Sequence, residues 1–171
     1  MCAPVRSAQD EAFQQNAKAK FISIAPGFVE WPASTFKAPD SPLEICIHGG
    51  FSFGITLAQL AQGAKFKGHR MEIKWARKEQ DLPACQVLFV GRSAAKRYDK
   101  VFEAIRSSTT LTIGEDPDFL RAGGMVNLQG AGNGVVFDVN LDAVNEGHLK
   151  LSSQMLALAR NVVHNAESAK N

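Results

Sequence analysis

The sequence contains no run of about 18 or more apolar residues, so no stretch of it reads as a transmembrane helix. It also lacks a basic surplus. Nineteen Lys and Arg stand against seventeen Asp and Glu, a net charge of +2, whereas a groove built mainly for nucleic acid shows a clear excess. Three cysteines and four histidines show neither CxxC nor HxxxH spacing, which leaves metal chemistry without its usual signature. Fourteen glycines and seven prolines are ordinary usage, with no internal repeat and no linker-like stretch. What is present is 171 residues, 45% of them hydrophobic: one domain, with enough apolar material for its own core.

The first ten residues, Met1 to Asp10, have no apolar centre and form no complete secretory signal. The chain therefore reads either as cytosolic or as a mature form from which a leader is absent. Cys2 is open to three readings: a residue left from a leader, a lipid-attachment site, or an incidental thiol. Cys46 and Cys85 each lie in an apolar, strand-like run, Leu43 to His48 and Cys85 to Val90. Two buried small hydrophobes and a disulfide across a long loop are both compatible with that setting.

Along the chain, Ala17, Phe21, Ile24 and Phe28 fall at helical spacing, with Gln15, Lys18 and Lys20 on other faces. Pro26-Gly27 should kink or end that helix. Leu43–Ile47 reads as a strand running into His48-Gly49-Gly50, followed by a helix through Leu57 and Ala61 with Ser52 as its N-cap and Gly63 as its stop. Met71–Trp75 alternates like a half-exposed strand. Val87–Val90 is apolar throughout, as a central strand covered on both faces must be. Gly91 ends it, and Ser93 is expected to cap a helix through Val101 and Ile105. Thr109–Ile113 reads as another strand, Asp118–Arg121 as a short helix, and Met125–Leu128 with Val135–Val139 as a hairpin around Gly130–Gly134. Met155, Leu158 and Val162 suggest a C-terminal helix capped near Ser152. This alternation predicts one α/β domain: a mixed, mostly parallel sheet, helices on both faces, and an edge hairpin. Residues 1–9 read as an N-terminal remnant, 10–163 as the domain, and 164–171 as a frayed tail.

Few residues carry chemistry. Gly50-Phe51-Ser52-Phe53-Gly54 is a literal Gly-x-Ser-x-Gly between a predicted strand and helix, as in a serine hydrolase elbow, with Asp138 or Asp142 and His148 downstream. It follows the first strand, however, and a plain strand-to-helix turn is the favoured reading. Gly91-Arg92-Ser93 repeats the turn with a cation beside it. In open α/β sheets such turns lie at the C-terminal edge, where ligands bind. Thus His48, Gly49, Gly50, Phe51, Ser52, Gly91, Arg92 and Ser93 form the expected ligand or partner surface. No catalytic residue, metal or cofactor is assigned. Capping is the expected role of Asn140 and Asp142, and the acids of Glu115–Asp118 suit a helix start.

Several segments resemble the YfiR family: Phe28-Val29-Glu30-Trp31-Pro32 after a helix, Pro42–Ile47 followed by Phe53-Gly54, and the cysteine-led Cys85–Gly91. The closing blocks, Gly123–Leu128, Phe137–Ala143 and Leu149–Leu156, are the most specific, and the likeness covers about residues 15–163. The resemblance implies a periplasmic, non-catalytic regulator that represses an inner-membrane diguanylate cyclase. An outer-membrane lipoprotein relieves that repression, and cyclic-di-GMP and biofilm formation follow. It also implies a Cys46–Cys85 disulfide, while the second disulfide of some relatives has no counterpart in residues 125–139. Nucleic acid is not an expected partner, and homodimer formation is a further expectation. The alternative is a periplasmic small-ligand sensor serving another membrane receptor, such as a sensor kinase.

Overall fold

The strand Val87–Val90 is buried at every position. Its side chains alternate between two separate cores, Val87 and Phe89 in one, Leu88 and Val90 in the other. A strand apolar throughout needs cover on both faces. The computed structural model describes residues 8–50 and 53–165, and its secondary structure supplies that cover. In chain order the elements are α1 (Ala8–Ile24), β1 (Val29–Glu30), β2 (Leu43–His48), α2 (Gly54–Ala61), β3 (Lys65–Phe66), β4 (His69–Trp75), β5 (Val87–Val90), α3 (Tyr98–Ala104), β6 (Leu111–Gly114), β7 (Val126–Ala131), β8 (Gly134–Asn140), α4 (Leu141–Glu146), β9 (Lys150–Leu151), α5 (Ser153–Leu158) and β10 (Asn161–Val163). Four 3₁₀ turns, at Ala25–Phe28, Ala33–Thr35, Glu79–Ala84 and Arg92–Arg97, connect them.

The main sheet has the order β10-β8-β7-β6-β5-β2-β4-β3. The pairs β2/β4, β2/β5, β5/β6, β6/β7 and β10/β8 are parallel, while β3/β4 and β7/β8 are antiparallel. β1 and β9 pair separately, Val29 opposite Leu151. It is the mixed, mostly parallel α/β sheet expected from the sequence. The hairpin β7–β8 stands towards one side, with three-residue β10 added outside it. One core holds α1, α2 and α4 against the sheet; the other holds α3, Leu82, Phe119, Cys46 of β2 and Cys85, which lies just before β5.

Four local expectations are corrected. The buried face of α1 carries Gln14, Lys18, Ala19 and Ile22, while Ile24 is 51% exposed. Tertiary partners decide this: Lys18 Nζ lies 2.7 Å from Glu115 Oε2, and Gln14 Nε2 donates to the Gly132 carbonyl at 2.8 Å. Long side chains bury their stems while their heads reach polar partners. Asp118–Arg121 is turn rather than helix, with Asp116 Oδ1 accepting from the Asp118 amide. The C-terminal helix stops at Leu158, because the chain re-enters the sheet and Val162 pairs with Val139. Asn140 does cap α4, accepting from the Ala143 amide, and Ser152 caps α5. Asp142, however, faces the C-terminal segment, accepting from His164 Nδ1 and the Asn165 amide. Those two bonds, from His164 first, hold its carboxyl below the usual range.

Candidate functional site

The connection after β2 crosses one face through α2 to β4, and the connection after β5 crosses the other face through α3 to β6. β2 and β5 are neighbours, so the sheet reverses direction between them. Such a topological switch point is where open α/β sheets place ligands, outside the C-terminal ends of the strands. Here those ends are His48-Gly49-Gly50 and Gly91-Arg92-Ser93. The fold thus brings together two turns 41 to 45 positions apart in the chain.

One backbone bond and one side-chain hydroxyl join them. The Gly91 amide donates to the His48 carbonyl at 2.8 Å, and Ser93 Oγ donates to the Gly49 carbonyl. Ser93 therefore ties the two turns rather than capping α3. Gly49 has φ +71°, a left-handed conformation that suits glycine. A Cβ on Gly91 would overlap the Gly49 carbonyl and lie 2.6 Å from Gly50 Cα. His48 Nδ1 donates to the Ala76 carbonyl at 2.8 Å, which fastens β2 to the end of β4. Phe51 and Ser52 lie outside the described residues.

Around the turns sits a charged rim. Arg92 Nη2 and Nε approach the Glu115 carbonyl at 3.3 and 3.4 Å, and the Glu115 carboxylate takes Lys18 from α1. Beneath it Tyr98 packs edge-on against Phe119, ring centroids 5.5 Å apart. Its hydroxyl is buried and has no hydrogen-bond partner among the described residues. Burial, then the carboxylates of Asp116 and Glu115, push the phenol up to about 12. Sequence reading missed Tyr98, Lys18 and Glu115 as parts of this rim, because the Lys18–Glu115 contact spans 97 positions. No local pattern signals it.

Tyr98 is the only tyrosine in the chain, so its titration can be read directly. Absorbance at 295 nm should show a single phenol ionising near 12 in the folded protein. The unfolded chain releases its proton near the ordinary value of about 10. Stability should consequently fall as pH rises from about 10 to 12. Tyr98→Phe should remove that slope and leave neutral-pH stability unchanged or higher, since it deletes a buried hydroxyl without a partner. A phenol titrating near 10 in folded protein would contradict this environment.

The other sequence candidates separate. Asp138 binds Arg160 and Asn161, with Arg160 Nε 3.0 Å from Asp138 Oδ1. Asp142 binds His164, so neither acid is directed to His148. Cys46 and Cys85 are joined to each other, Cα atoms 5.9 Å apart, within the core beneath α3. Their bond links β2 to the residues entering β5, on the same side of the sheet as Tyr98. Two cavities lie away from the switch point. One of about 530 Å³ is lined by Ser34, Thr35, Glu103 and Ser107–Thr110, and another of about 490 Å³ by Phe28–Glu30, Lys67 and Lys150–Ser153.

A family model described as YfiR/HmsC-like matches residues 15–160. No curated protein matches. Among solved structures, a conserved domain protein from Vibrio cholerae is similar, with 12% identity and a TM-score of 0.58 over 86% of this chain. The ABC domain from Streptococcus pneumoniae, solved in complex with L-Trp, is similar with 10% identity and a TM-score of 0.57 over 87% of this chain. The chain spans 60% of the length of each of these structures, and at such identities the likeness concerns the fold alone.

Proposed function

The chain belongs to the YfiR/HmsC-like family, and from that premise we propose that it is a periplasmic, non-catalytic signalling regulator. It binds and represses a membrane-bound diguanylate cyclase, linking envelope or redox state to cyclic-di-GMP and biofilm formation. The observation that carries the reading is the family match across residues 15–160, nearly the whole folded domain. The buried Cys46–Cys85 bond supports the redox part, because such bonds persist in oxidising compartments. Repression acts as a shift of populations, so the regulator binds the inactive receptor more tightly than the active one. A receptor poised evenly between the two states needs roughly a hundredfold preference to be held about 99% inactive. An outer-membrane lipoprotein that competes for the regulator would relieve the repression.

Co-expression with the membrane cyclases of the same genome tests this reading. Cyclic-di-GMP should fall with one of them when the regulator reaches the periplasm, and rise again on reduction of the disulfide. Unchanged cyclic-di-GMP with every such cyclase would refute it.

A second reading, a small-ligand sensor for another receptor such as a kinase, is favoured by the switch-point position of Gly49–Gly50 and Gly91–Arg92. Under it, titration calorimetry against amino acids and nucleotides yields a ligand whose affinity drops at least tenfold in Arg92→Ala. Normal binding by that variant would remove the site.

A further inference from the structure

We propose that the outer edge of β4 docks an extended acidic segment of a protein partner by strand addition, with Trp75 as its anchor. It shares with the proposed function only the premise that the partner is a protein. β3 is two residues long and covers only the start of β4, pairing Lys65 with Arg70 and Phe66 with His69. Beyond it the Met71 amide still donates to the Ala64 carbonyl, and there, among the described residues, the cover ends. Successive residues of a strand direct their backbone groups to opposite neighbours. Met71 faces outwards to Ala64, and the Ala76 amide faces inwards to the Ile47 carbonyl. Ile73 and Trp75 share the parity of Met71, so their N–H and C=O groups point away from β2. An edge with unpaired backbone groups is a template for another strand.

Side chains at this edge favour a particular occupant. Trp75 is 42% exposed, and its indole lies against the start of α2: a Cβ on Gly54 would be 2.9 Å from its Nε1. Ile55, the next residue, is 70% exposed. Trp75 is an exposed aromatic of the kind that dominates protein interfaces, with the exposed Ile55 following the glycine that packs on it. Residues 65–78 hold six of the chain's nineteen Lys and Arg but only one acid, Glu72. The net excess of the whole chain is two, so the remainder of the protein is acidic and the edge is its basic strip. Arg70 pairs with Glu72 and Lys74 with Glu44. Lys65, Arg77 and Lys78 are exposed, and no carboxylate partner is found for them among the described residues. A row of unpaired backbone groups suits an extended peptide better than a lipid surface, and the charge calls for carboxylates on it.

The test uses the intact protein and three probes: an alternating Val-Glu octapeptide, its Val-Lys counterpart, and vesicles containing phosphatidylglycerol. The Val-Glu peptide should bind and slow hydrogen exchange at the Ile73 and Trp75 amides at least tenfold, while the Val-Lys peptide should not. Arg77→Glu with Lys78→Glu changes only exposed side chains and should weaken binding at least tenfold. Ile73→Pro removes an outward donor that β2 does not use, and it should abolish the exchange protection. Absence of Val-Glu binding, binding unaffected by both variants, or binding to vesicles alone would overturn the proposal. Cyclase repression plays no part in this readout, so failure here and failure of the regulatory reading can be told apart.

Discussion

Reducing the Cys46–Cys85 bond, or replacing both cysteines in Cys46→Ala/Cys85→Ala, should lower the melting temperature by about 8–16 °C. The two residues are 39 positions apart, and for a loop of that length the chain-entropy relation gives about 4 kcal/mol. For a domain of this size each kcal/mol moves the midpoint by about 2–4 °C. The double substitution avoids leaving one thiol buried without its partner. Both cysteines are buried with Leu82, Leu88 and Val90, so alanine also leaves a small void in the second core. Thermal unfolding with and without reductant measures the effect, and the double variant should be indifferent to reductant. A shift below about 3 °C in the reduced native sequence would mean that other contacts already hold β2 to the entry of β5. The bond ties the strands that carry both switch-point turns. Its loss should therefore loosen the Gly49–Gly91 contact before the outer strands.

Gly91→Ala should cost about 3 kcal/mol and lower the midpoint by about 6–12 °C. The added methyl meets the Gly49 carbonyl and Gly50 Cα, both of them backbone, so no side chain can swing aside. The turns must separate, which breaks the bond from the Gly91 amide to the His48 carbonyl and the one from Ser93 to Gly49. Amide shifts should consequently concentrate in residues 48–50 and 91–94. Gly27→Ala is the matched control: a Cβ there meets nothing within 4 Å, and stability should stay within about 0.5 kcal/mol. Equal stability of the two variants would show that the turns are not in contact as described.

Much of this architecture is legible locally. The Val87–Val90 run marks a strand covered twice, the Gly132 turn closes the β7–β8 hairpin, and Asn140 and Ser152 sit where helix starts need acceptors. Each of these is set by interactions within a few residues. Lys18 defeats the same method. A lysine on a helix reads as solvent-facing, and only Glu115, 97 positions away, makes its burial tolerable. Val162 defeats it too, because its spacing continues a helix while its backbone completes the sheet beside Val139. The candidate site divides similarly. Both glycine turns and Arg92 were visible, but Lys18, Glu115 and Tyr98, which complete the rim, were not.

By itself, then, the sequence determined a single α/β domain, its strands, and two glycine turns at strand ends. The tertiary structure alone decided that those turns touch at the reversal of strand order. It alone set Tyr98 beneath the acids and, among the described residues, left the basic edge of β4 beyond Met71 uncovered, while the Cys46–Cys85 bond is the one the family resemblance already implied. Helix, strand and turn preferences are fixed by sterics and hydrogen bonds over a few neighbouring residues. Strand order is fixed by which apolar faces bury one another across tens of residues, and no local pattern records it.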